Sequence, residues 1–159
     1  MHPPDLRIGP PRRWNESIAG IPWLPRLIDK ARAADAGTLG FYLFGQSPVD
    51  RSLLRAMGMG YRSFFDIVVS AADDDAVIAA IGTRDRGALG RGREWGRTLA
   101  RRQALFVALL DIDDGYSAHL RPLRPAIALA ANAVSWTAKR LWPLRIRVNL
   151  ATVANQEAP

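Results

Sequence analysis

The chain has 159 residues, 48% of them hydrophobic and 23% charged, with a formal net charge of +7 and no cysteine. That length suits one domain with an appendage, and the composition excludes a disordered chain. Disulfides, thiolate zinc sites and thiol nucleophiles are excluded as well, which fits a reducing cytosol.

Residues 1–14 read as an extended, proline-rich arm; Met1 to Pro11 lacks an apolar core, so a signal peptide is not expected there. Pro25 stands at a first helical turn, Leu24, Leu27, Ile28 and Ala31 form an apolar stripe, and Gly37 is placed to close the helix. Phe41 to Phe44 reads as a short strand or a buried turn. Ser47-Pro48 opens a second helix that Gly58 ends. A third runs from Arg62 to about Ala71, with Phe64, Phe65, Val68 and Val69 as its buried face. Asp73 or Asp74 caps a fourth through Ala80, stopped by Gly82, and Gly82 to Gly92 reads as a loop.

A longer helix is expected over about Arg93 to Leu110, with Trp95, Leu99, Phe106, Leu109 and Leu110 on one face. Leu105 to Leu110 could equally form a buried strand, since six apolar residues do not settle their own period. After a turn at Asp111–Tyr116, a last helix opens at Pro122 or Pro125 and ends at Pro143. Its apolar stripe is Leu123, Ile127, Ala131, Val134, Ala138 and Leu141, with Asn132, Lys139, Arg140, Leu129 and Trp136 opposite. No stretch reaches the ~18 apolar residues of a membrane span.

Charge is distributed unevenly. From residue 115 to Gln156 the chain carries Arg121, Arg124, Lys139, Arg140, Arg145 and Arg147 and no Asp or Glu. Such a concentration marks a surface that meets something anionic. Trp136 and Trp142 lie beside these cations, a pairing that suits a membrane interface. The same helix could instead pack its stripe on the core or in a homodimer.

Other constellations are less specific. Arg26, Asp29, Lys30 and Arg32 on the first helix could line a polar pocket, or form a structural ion-pair network that holds the helix to the Gly37–Gly40 turn. Asp111-Ile-Asp113-Asp114-Gly115 fails as a calcium loop because Pro122 occupies the twelfth position, and it reads as a helix-ending turn that pairs with arginines. Gly87, Gly90, Gly92 and Gly96 alternate with arginines but match neither the P-loop nor the dinucleotide fingerprint, so a flexible basic linker is expected. His2 and His119, without cysteine, make no zinc site, and no Ser/His/Asp arrangement can be argued.

The run Arg26-Leu-Ile-Asp-Lys-Ala-Arg32, with Thr38-Leu-Gly40, Phe64-Phe65 and Asp73 to Ile81, resembles a bacterial domain-of-unknown-function family of small, mostly helical proteins. The resemblance covers about residues 12–100. It implies a fold rather than an activity and transfers no catalytic residues.

The sequence therefore predicts a mostly α protein, a compact multi-helix domain plus a C-terminal basic amphipathic helix. Its divisions are an arm (1–11), a helical domain (12–112), a turn and basic helix (113–143) and a tail (144–159). The expected function is a non-catalytic binding or adaptor module, cytoplasmic and peripheral at the inner membrane, with neither cofactor nor metal. Arg121, Arg124, Trp136, Lys139, Arg140, Trp142, Arg145 and Arg147 would contact an anionic membrane surface or a protein partner. Two alternatives stand beside it: nucleic-acid binding by the arginine-rich segments 84–102 and 121–147, or a small enzyme with a site near Asp29 or Asp111–Asp114.

Overall fold

The computed structural model describes residues 3–116 and 122–141. Among them a two-stranded antiparallel hairpin, β1 (Ser17–Ile18) and β2 (Ile21–Pro22), precedes seven helices. The helices are α1 (Leu24–Asp35), α2 (Pro48–Ala56), α3 (Tyr61–Ser70), α4 (Asp74–Arg84), α5 (Ala88–Arg102), α6 (Ala104–Asp113) and α7 (Arg124–Leu141). The mostly α expectation holds.

The fold is organised around α1, in which every residue from Leu24 to Ala33 is buried. An amphipathic surface helix hides one stripe, so burial all round means that α1 is wrapped by other elements. It packs on α3 and β1, and Leu24, Leu27, Ile28 and Ala31 join Phe44, Leu53, Phe64, Val77 and Ile81 in one core. Each fully buried Leu or Ile contributes ~1.5–3 kcal/mol relative to exposure. Trp23, which precedes α1, sits in the left-handed region at φ 71, strained for a bulky residue. Its full burial and a 2.8 Å hydrogen bond from Nε1 to Asp50 hold it there. Gly37, at φ +70, closes α1 where a side chain would be strained.

The N-terminal arm is docked rather than loose. Leu6 is buried, its N–H donates to Thr38 O at 2.9 Å, and Thr38 Oγ1 donates to Pro4 O at 2.9 Å. Phe41–Phe44 is a turn in which Phe44 is buried and Phe41 exposed.

Several expectations are corrected. Val69 faces solvent, while Phe64, Phe65 and Val68 supply the buried face of α3. Asp73 caps α4 by accepting from Ala76 N–H, but the helix runs through Gly82 to Arg84, because one glycine costs only ~1 kcal/mol in a helix that is otherwise packed. The expected Gly82–Gly92 loop shrinks to residues 85–87. The expected single helix over Arg93–Leu110 is two helices, broken at Gln103, and Leu105–Leu110 is helical. Leu105, Phe106 and Leu109 remain exposed among the described residues.

Of the glycines in the predicted linker, Gly87 caps α5 and Gly90, Gly92 and Gly96 lie inside it, where Gly92 and Gly96 allow close packing. A Cβ on Gly92 would fall 2.8 Å from Ile21 Cδ1, and one on Gly96 would fall 2.7 Å from Pro22 Cγ. The hairpin thus lies directly against the α5 backbone. Gly90, by contrast, faces open space. Opposite outcomes are expected on one helix. Gly90→Ala should stabilise by up to ~1 kcal/mol through helix propensity. Gly96→Ala should lose a net ~1–2 kcal/mol, because the rigid proline ring cannot yield. Urea unfolding of both variants measures the contrast.

Candidate functional site

Two places gather chemistry. The first is the buried charge on α1. Lys30 Nζ donates to both oxygens of Asp50, on α2, at 2.5 and 2.6 Å, and the two side chains are only 3% and 0% exposed. Asp50 also accepts from Trp23 Nε1 and, at 3.3 Å, from Gly45 N–H. Burial lowers the Lys30 pKa, and the Asp50 carboxylate opposes that shift. Arg26 Nη1 pairs with Asp114, beyond the end of α6, at 2.7 Å, with exposures of 2% and 1%. Tyr42 Oη donates to the same Asp114 at 2.7 Å, and burial together with that carboxylate raises the Tyr42 pKa. The Arg26 guanidinium also stands 5.5 Å from the Trp23 ring and 5.4 Å from the Tyr42 ring.

Asp29 faces the arm, where Arg12 reaches it at 2.7 Å while also holding Asp74 at 2.6 Å. Arg32 pairs with Asp74 at 2.7 Å. Arg13 clasps Asp111 at 2.6 Å. For both Asp74 and Asp111 burial alone would raise the carboxyl pKa, but the adjacent guanidiniums outweigh it and hold the pKa low. Asp113 differs: burial and then Asp114 raise it.

Arg26, Asp29, Lys30 and Arg32 are each met by a charged partner from outside the helix. Each reaches a separate, distant element: the arm, α2, α4 or the end of α6. The predicted tie to the Gly37–Gly40 turn is replaced by these long-range pairs. The three carboxylates of the 111–114 turn likewise diverge, Asp111 to Arg13 and Asp114 to Arg26 and Tyr42. Sequence reasoning missed Arg12, Tyr42, Asp50 and Asp74. One signal was available: Arg26, Lys30 and Arg32 put three cations on one buried helix with Asp29 as the single carboxylate within a turn of Arg26, too few acidic groups to balance them locally.

The second place is α7. Arg124 Nε donates to Asp113 O at 3.0 Å, Lys139 Nζ donates to Gly40 O at 2.6 Å, and the Ser135 hydroxyl donates to Phe41 O. The face turned to the domain runs through Ile127, Ala128, Ala131, Asn132, Ser135, Ala138 and Lys139. The predicted stripe is rotated: Leu123, Val134 and Leu141 are exposed, and Asn132 and Lys139 face inward. Small residues and polar donors match the exposed carbonyls of the 40–41 turn, which bulky side chains would hold off. On the outer side stand Leu129 at 73%, Trp136 at 62% and Leu141 at 75% exposure, with Arg140 5.4 Å over the Trp136 ring. Arg121, Trp142, Arg145 and Arg147 lie outside the described residues.

The arginines of α5 are partly engaged within the chain. Arg91 holds Asp85 and the carbonyls of Ala56 and Met57, Arg93 donates to Ala19 O at 2.7 Å, and Arg97 pairs with Glu94.

The family model for Domain of unknown function (DUF5069) matches residues 9–115. The chain belongs to that family. No curated protein matches it. The family domain contains every member of the α1 charge network, from Arg12 to Asp114, whereas α7 lies beyond the matched segment. No helix among the described residues is long and apolar enough to cross a membrane.

Lys30→Met should destabilise by about 3–5 kcal/mol, because it leaves Asp50 charged and buried. Adding Asp50→Asn should recover roughly half of that loss, since the charge goes while an acceptor for Trp23 remains. Denaturant titration of the two variants measures this. For Asp74 and Asp111, a folded-state pKa below the unfolded value gives stability that is present above about pH 4 and lost as pH falls through the folded values. Asp113 acts in the opposite sense, losing its contribution as pH rises. Asp5 and Asp85 are lowered too by their arginine partners, so with four lowered groups against one raised, stability should fall below about pH 4. Arg12→Ala should raise the Asp74 pKa and move the acid-unfolding midpoint upward, as followed by carboxyl NMR and circular dichroism.

Proposed function

We propose that the protein is a non-catalytic binding module that attaches peripherally to an anionic membrane surface through the outer face of α7. The observation that carries this reading is Trp136, exposed on that side of α7 with Arg140 over its ring and Leu129, two turns earlier, on the same side. An aromatic ring and a cation side by side find partners together where acyl chains meet phosphates. No acidic side chain lies on α7 to repel such a surface. Exposed apolar area of this kind would otherwise be expected in the core or at an interface.

The α1 charge network supports the same reading by contrast. Arg26, Asp29, Lys30 and Arg32 already meet partners inside the domain, so they serve as its scaffold. A nucleic-acid surface on 84–102 draws less support, since Arg91, Arg93 and Arg97 contact the chain itself.

Co-sedimentation with neutral phosphatidylcholine vesicles and with vesicles of phosphatidylcholine and phosphatidylglycerol tests the reading. Binding should require the anionic lipid, weaken with salt and survive an RNA competitor. Trp136→Ala should weaken it about ten-fold and Arg140→Ala about five-fold, the latter corresponding to ~1 kcal/mol per basic side chain. If the anionic vesicles leave the folded protein in solution, the face serves a protein partner or a second copy instead.

A further inference from the structure

We infer that α7 is a releasable arm, and that its packing on the domain competes with its binding to the anionic surface. This rests on the membrane reading and concerns its regulation. In α1, ten of twelve residues are buried; in α7, with eighteen residues, Ser135 alone is buried. A helix held by so little area is drawn from the low-stability end of a fold.

Its polar ties also have a particular character. Lys139, Arg124 and Ser135 all donate to backbone carbonyls, of Gly40, Asp113 and Phe41. Among the described residues none of the cations of α7 stands within salt-bridge distance of a carboxylate. This is the reverse of α1, where Arg26, Lys30 and Arg32 each meet one. Lys139 is half-buried with a neutral acceptor, and burial pulls its pKa down. A phosphate oxygen would put a full negative charge where Lys139 and Arg124 now meet the partial charge of a carbonyl, and so would hold both cations more strongly.

Docked, α7 offers Arg140 and the outer apolar side chains to a bilayer. Released, it adds Lys139 and the inner row Ile127, Ala131 and Ala138, and Arg124, already exposed, is freed from the Asp113 carbonyl. The bilayer therefore interacts differently with the two states, which is the requirement for shifting an equilibrium between them. Apparent affinity is the population-weighted average of the weaker docked and the tighter released state, so loosening the dock should raise it.

The absence of native cysteine allows a clean test in the full chain. Phe41→Cys with Ser135→Cys is joined by a disulfide or a short dithiol-bridging reagent, and the linkage is checked by gel mobility. Vesicles are equimolar phosphatidylcholine and phosphatidylglycerol. The linked protein should bind them at least ten-fold more weakly than the same protein reduced. Ser135→Ala, which loosens the dock without changing charge, should bind about three-fold more tightly than the unmodified chain. Equal binding by linked and reduced protein, with no gain from Ser135→Ala, would overturn the release while leaving the membrane reading intact. If no form sediments with the vesicles, the membrane reading fails and the release inference falls with it.

Discussion

The structure depends on burying a charged helix at its centre. Moving an ammonium or guanidinium out of water costs several kcal/mol even after relaxation, so each must meet a counter-charge in good geometry. Lys30 finds Asp50 on α2, Arg26 finds Asp114 past α6, Arg32 finds Asp74 at the start of α4, and Asp29 finds Arg12 on the arm. Each pair fixes one element against α1, and few other placements of these elements satisfy all four charges. Such a network contributes less to net stability than an apolar core would. Its consequence is geometric: arm, α2, α4 and the end of α6 are brought into register on one helix.

Hydrophobic packing and the charge network reinforce each other at Trp23. Its indole fills the core, donates to Asp50 and lies under the Arg26 and Lys30 cations, 5.5 and 5.4 Å from their charged centres. Those interactions hold the residue at a positive φ that a bulky side chain rarely adopts. The hairpin before it is pressed onto α5 through Gly92 and Gly96. A tightly specified family domain results, while α7 lies on its edge with little buried surface.

That contrast bears on function. In the domain, charges meet charges and are withdrawn from solvent. On α7, among the described residues, Lys139 and Arg124 hydrogen-bond to backbone carbonyls, and the outward side presents an aromatic ring, a cation and aliphatic side chains. On the proposed reading, the basic last helix, rather than the conspicuous polar run on α1, would meet an external partner, because its interactions within the chain are less complete.

The sequence by itself determined the helical class, the start of α2 at Ser47-Pro48, the start of α4 at Asp73 or Asp74, the closure of α1 at Gly37 and the basic character of the last helix. These follow from local rules: capping, periodicity and the conformational freedom of single residues act within a few positions. Tertiary structure decided the rest. The break at Gln103, the glycines packed inside α5, the rotation of α7 and the partners of Arg26 and Lys30 all depend on groups far along the chain. Lys30 and Asp50 are twenty residues apart and Arg26 and Asp114 eighty-eight. A side chain's neighbours on its own helix can be read from spacing, but the desolvation that makes a distant carboxylate necessary arises only when the chain closes around it.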